Sequence, residues 1–174
     1  MTGRAVRADR FAAGALLGGA CLLAVACTTE APRKVALGDD IEVGPYAFSV
    51  LHARNAPDPP PPLSTFRTRP GKKGIVVFVD WKRMDVDWDV QRRWLFVESF
   101  IERQFSVVDS EGRRTEVAGV LPERLFYMQE PGASWRDWVV VFYVPDESRG
   151  LAVLVENPEP REGQSRLIAV PLGM

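Results

Sequence analysis

The stretch from Pro131 to Gly150, PGASWRDWVVVFYVPDESRG, limits what this chain can fold into more than any other segment. Trp138, Val140, Phe142 and Val144 fall on one face at a period of two, and Trp135, Asp137, Val139, Val141 and Tyr143 fall on the other. One face is wholly apolar and the other mixed, as expected of a central strand in a sandwich. Pro131-Gly132 before the run, and Pro145 and Gly150 after it, interrupt any helical continuation.

The rest of the chain repeats this pattern at shorter length. Ile41 and Val43 alternate before Gly44-Pro45, and Tyr46, Phe48 and Val50 alternate after it, which predicts two strands around a tight turn. His52 continues the face of Tyr46, Phe48 and Val50 and reads as a partly exposed hydrogen-bonding residue at a strand end rather than as a ligand or base. Pro57 and the run Pro59 to Pro62 forbid a helix and predict a loop. From Gly74 to Arg83, Ile75, Val77, Val79 and Trp81 form an apolar face opposite Val76, Phe78, Asp80 and Lys82, and this strand is the expected packing partner of the opening one. Phe105 to Val108, the turn Asp109 to Gly112, and Arg113 to Val117 read as a hairpin. Leu151, Val153 and Val155 mark a further strand, Asn157 to Gln164 a polar turn region, and Leu167 to Val170 the closing strand. Seven or eight strands, with turn signals about every ten residues, describe an all-β sandwich or barrel.

The piece from residue 85 to 104 is the irregular one. Val90, Trp94, Val97 and Ile101 line one face of a possible short helix over 88–103, with Asp89 as a possible N-cap and with Phe96 and Phe100 pointing elsewhere. An extended start leading into a helical later part is the expectation.

The amino terminus reads as an address. Arg4, Arg7 and Arg10 precede an uncharged run, Phe11 to Ala26, ending in Ala24-Val25-Ala26-Cys27. As a helix that run would reach about 24 Å, short of the ~30 Å hydrocarbon core, so cleavage is expected rather than a permanent span. Leu23-Ala24-Val25-Ala26-Cys27 resembles the lipobox of bacterial lipoproteins, which implies a lipidated Cys27 as the first mature residue, although an ordinary signal peptidase would also accept the same bond. Three parts follow: a signal peptide over 1–26, a lipidated cysteine and tether over 27–34, and a domain over 35–174. Loss of 1–26 removes three arginines and Asp9 from 22 basic and 23 acidic residues, leaving 19 against 22 and a net charge of −3. The resemblance implies an extracytoplasmic protein held on a membrane by its lipid, facing the periplasm or the cell surface. Thr28, standing where aspartate would retain the protein elsewhere, fits an outer membrane in a diderm cell.

Several function classes fall away. A formal net charge of −1 with no long run of one sign leaves no footprint for nucleic acid. With two cysteines confined to the first 27 residues and a single histidine, neither a disulfide framework nor a cysteine-type zinc site is available. Asp85, Asp87 and Asp89 resemble the first half of a calcium loop, but Val90 and Phe96 occupy the positions where such a loop needs glycine and an acid, so a solvated strand face is expected. No nucleophile motif, phosphate-binding loop or cofactor site occurs, and no enzyme is expected. Among five tryptophans, Trp81 and Trp138 are assigned to the core, while Trp88, Trp94 and Trp135 are the candidates for an exposed binding surface.

In order along the chain, ALGDDIEVGPYAFSVLHA, GKKGIVVFVDW, FSVVDSEGRRTEV and PGASWRDWVVVFYVPDESRGLAVLV resemble the telokin-like, immunoglobulin-fold domain of unknown function found in many bacterial secreted lipoproteins. That resemblance implies an immunoglobulin-like β-sandwich across Val35 to Leu172 and supplies no catalytic residues. The chain departs from the family at the proline-rich loop and at 85–104, where binding specificity would be sought. The expected function is binding of another envelope protein or glycan; the alternative is an envelope enzyme or enzyme inhibitor that uses the 85–104 insert.

Overall fold

The computed structural model describes residues 31–56, 70–84, 90–122 and 137–174. Two five-stranded sheets face one another. Their strands are β1 (Arg33–Lys34), β2 (Ile41–Val43), β3 (Tyr46–Asn55), β4 (Lys72–Met84), β5 (Phe105–Val108), β6 (Arg114–Glu116), β7 (Gly119–Pro122), β8 (Asp137–Pro145), β9 (Ala152–Glu156) and β10 (Leu167–Pro171), with helix α1 (Val90–Gln104) between β4 and β5. One sheet runs β1-β10-β9-β5-β6 and the other β2-β3-β4-β8-β7. Every pairing is antiparallel except β1 with β10. The all-β sandwich is therefore the fold. Ten strands among the described residues exceed the seven or eight expected; the additional ones are β1, two residues at the end of the expected tether, and β7, whose Gly119 and Pro122 read as strand breakers.

The opening stretch and its expected partner lie side by side, with β8 and β4 in register from Lys72↔Pro145 to Asp80↔Asp137. Trp138, Val140, Phe142 and Val144 from β8 join Ile75, Val77, Val79 and Trp81 from β4 in the core between the sheets. Phe105, Val107, Val153, Val155, Ile168 and Val170 meet them from the other sheet. Each such side chain contributes about 1.5–3 kcal/mol relative to leaving it exposed. On the reverse face of β8, Val139 and Val141 are fully buried with Val76 and Phe78, forming a second apolar cluster packed by Leu121 and Tyr143.

His52 is a correction. The pairing of β3 with β4 shifts between Val50 and His52, leaving Leu51 as the extra residue of a bulge. One added residue inverts the alternation, so His52 leaves the face of Phe48 and Val50 and stacks on Phe78 outside the sandwich, ring centroids 4.2 Å apart. Two residues on, the Arg54 guanidinium lies over the same ring.

Helix α1 closes one end of the sandwich. Val97 and Ile101 are buried on one stripe, as predicted, but Phe100 shares that stripe and Phe96 packs against the core beside it. Expecting these two phenylalanines to point elsewhere overlooked that positions three and four apart share a helix face. Leu95 points outward, at 61% exposure. Arg103 stands in the last turn, where a cation complements the carbonyl end of the helix.

The chain reverses at two ends. At one lie the β2–β3 turn, the end of β4, α1 and the β9–β10 loop; at the other lie the β5–β6 and β8–β9 turns.

Candidate functional site

The end closed by α1 carries an open cleft of about 550 Å³. Three pieces wall it: the β2–β3 turn with Tyr46, the later half of α1 with Phe96, Phe100, Arg103 and Gln104, and the loop from Asn157 to Arg161. Gly44 opens the turn at φ 56, a conformation that glycine adopts without strain, which brings Tyr46 to the cleft. Tyr46 then meets Phe96 at 4.8 Å and Phe100 at 5.7 Å between ring centroids. Trp81, Phe48 and Phe105 continue this aromatic cluster down into the core.

The Gln164 amide ties the polar wall to the β2–β3 turn. Gln164 Oε1 accepts from the Gly44 N–H at 2.9 Å, from the Arg161 N–H at 3.1 Å and from Asn157 Nδ2 at 3.2 Å, while Gln164 Nε2 donates to the Gly44 carbonyl at 3.2 Å. A loop 120 residues away in sequence is thereby fixed onto the β2–β3 turn. This lock sets Glu159 and Arg161 beside Tyr46. Burial, with the Glu159 carboxylate adding to it, pushes the Tyr46 phenol above its ordinary range, and Arg161 opposes the shift. Arg103 donates from Nε to the Ser99 carbonyl at 3.0 Å and from Nη2 to Ser99 Oγ, which steadies the guanidinium on the helical wall. A smaller polar hollow of about 420 Å³ adjoins the cleft; Gly44 and Arg161 line both, and Arg33 and Glu42 also line the hollow.

This lining offers flat apolar surface together with both signs of charge. Such a mixture suits recognition of a ligand with apolar and polar parts.

Several expected site residues fall elsewhere. Cys27, Trp88, Trp135, Asp85, Asp87 and Asp89 lie outside the described residues, as does the possible N-cap Asp89. Trp94 belongs to α1, with its side chain outside the described set. Trp81 and Trp138 are in the core as assigned. Among the described residues no group of three or more histidine, cysteine, aspartate or glutamate side chains converges, and no helix is long and apolar enough to cross a membrane. Arg33 and Lys34, read as the end of the tether, pair with β10. Sequence reading passed over Gln164, Glu159 and Arg161. No local pattern marks them, because their role depends on a contact with Gly44.

The opposite end has a different construction. Asp109 is 6% exposed, and its Oδ1 accepts the backbone N–H groups of Glu111 and Arg113. Its Oδ2 accepts Arg113 Nε at 2.7 Å and Ser148 Oγ at 2.9 Å. Arg113 continues to Glu147 at 2.9 Å, and Lys73 donates to the Ser148 carbonyl. Burial alone would raise the Asp109 carboxyl, but the bonds from Arg113, Ser148 and the two N–H groups outweigh it, taking the pKa from 3.8 to about 2. Arg113 is shifted upward chiefly by its hydrogen bond to Asp109. With its carboxylate answered by four donors from within the fold, Asp109 forms a structural staple between two turns.

No family model, curated protein or solved structure matches the chain.

Proposed function

We propose that this chain is a non-enzymatic, extracytoplasmic β-sandwich, anchored by lipid on Cys27, that binds another component of the cell envelope in the cleft between Tyr46, α1 and the β9–β10 loop. The observation that carries the binding role is the cleft's construction. Phe96 and Phe100 supply apolar surface, Arg103, Arg161 and Glu159 supply charge, and Gln164 holds the loop wall in place. A preformed groove of mixed lining loses little to ordering when a ligand enters. The address rests on the lipobox-like run ending at Cys27 and on the four ordered stretches that resemble telokin-like lipoprotein domains.

Two measurements test the two halves. Mass spectrometry of the mature protein should show Cys27 amino-terminal and carrying acyl chains; an unmodified thiol sinks the anchor. The immobilised mature chain and its Phe96→Asp variant should be compared on solubilised envelope. The wild type should retain an envelope protein or glycan fraction that the variant loses, and equal retention overturns the cleft as the binding site.

A further inference from the structure

We infer that the cleft faces the membrane and receives the extracytoplasmic juxtamembrane segment of a protein embedded in that same membrane; the inference rests on the anchoring at Cys27 proposed above. The geometry begins with β1. It runs parallel to β10, pairing Arg33 with Ile168 and Lys34 with Ala169, so the chain before Arg33 departs from the end at which β10 begins. The β9–β10 loop stands at that end. Arg33 lines the same hollow as Arg161 and Gly44, and those two residues also line the cleft. The tether therefore leaves the domain beside the cleft.

Its reach is short. Residues 28–32 separate Cys27 from Arg33, and six Cα-to-Cα steps span at most about 20 Å at ~3.3–3.6 Å each. The staple end lies roughly 30 Å farther along the strands, judged from nine residues of β8 at about 3.3 Å per residue. Anything that enters the cleft must then lie close to the bilayer, whereas partners deeper in the envelope meet the staple end first.

Charge separates a peptide from the lipid surface itself. Docking on anionic headgroups takes a cluster of lysine and arginine. The cleft and its adjoining hollow instead carry three arginines against four carboxylates, and the chain after residue 26 is net acidic. An aromatic floor with both signs at its rim matches a peptide bearing apolar and charged side chains.

The test uses the full-length protein in its own membrane. Benzoyl-phenylalanine is placed at Phe96 and, in a second form, at Glu159 on the other wall. Each is irradiated with and without a flexible Gly/Ser insertion of about 30 residues between Pro32 and Arg33, which lowers the effective concentration of cleft and partner. The expected adduct maps to an extracytoplasmic segment adjoining a membrane span, and its yield falls about tenfold or more with the insertion. Adducts on lipid, on cell-wall polymer or on a soluble protein overturn the inference, as does a yield that the insertion leaves unchanged, while cleft binding itself survives those outcomes. No adduct from either position removes both the inference and the cleft as a binding site.

Discussion

Both ends of the sandwich join apolar strands through polar turns, yet they treat their polar groups in opposite ways. At the staple end, Asp109 gathers two backbone N–H groups, a guanidinium and a hydroxyl within its own fold, and so ties the two turns directly to each other. At the cleft end, Gln164 performs the same fastening with a neutral amide, but the pieces it joins stand apart around a space lined by Tyr46, Phe96 and Phe100. A buried carboxylate answered by several charge-assisted donors suits a contact that holds firmly above about pH 4. An amide with partners on two loops fixes a wall while leaving charged side chains, Glu159 and Arg161 among them, directed at the cleft. With the cleft as the proposed binding site, the contrast would give stability to one end and recognition to the other.

The largest expected effect is at Phe100, which belongs to core and cleft together. Phe100→Ala should cost about 3–5 kcal/mol in urea denaturation, because a ring meeting Tyr46, Phe48, Trp81 and Phe105 is replaced by a cavity. A loss below about 1 kcal/mol would mean that the helix does not close the core as described.

Next comes the staple. Asp109→Asn should lower the urea midpoint at pH 7, since a neutral amide cannot replace the charge-assisted bonds. The folded carboxyl lies below its ordinary value, so its contribution is complete above about pH 4 and disappears as the pH falls through about 2. The midpoints of variant and wild type should therefore converge between those limits. A gap that stays constant with pH would assign the effect to packing and remove the electrostatic account of this end.

Gln164→Ala should cost roughly 1–3 kcal/mol for the lost hydrogen bonds, and should weaken envelope binding more than Asp109→Asn does. Should the staple variant prove the worse binder, the division of labour between the ends would be wrong. The smallest effect is spectroscopic. Absorbance titration should show a phenol ionising above the ordinary tyrosine range, and Tyr46→Phe should reduce that phase by one group. Because the shift is upward, whatever stability it carries is present below the ordinary value and is lost as the pH rises through the raised one.

Much of the scaffold was legible in the residues. Alternation identified β4 and β8 as neighbours, placed Trp81 and Trp138 inside, and marked the Asp109 hairpin, since each of these depends on local periodicity or turn chemistry. His52 was misplaced for a specific reason: a bulge at Leu51 arises from how β3 pairs with β4, and nothing within β3 announces it. Phe96 and Phe100 were legible in principle from their spacing to Val97 and Ile101. Gln164 was not legible at all.

The sequence alone determined the alternating strands, the breaks between them and the helical stripe in the insert, because short-range periodicity and composition are written in consecutive residues. The tertiary structure decided which faces meet, that the reverse side of β8 is also buried, and that one glutamine builds a cleft with a glycine 120 positions away. Those depend on sheet order and register, which are settled by the packing of the whole chain and by no segment within it.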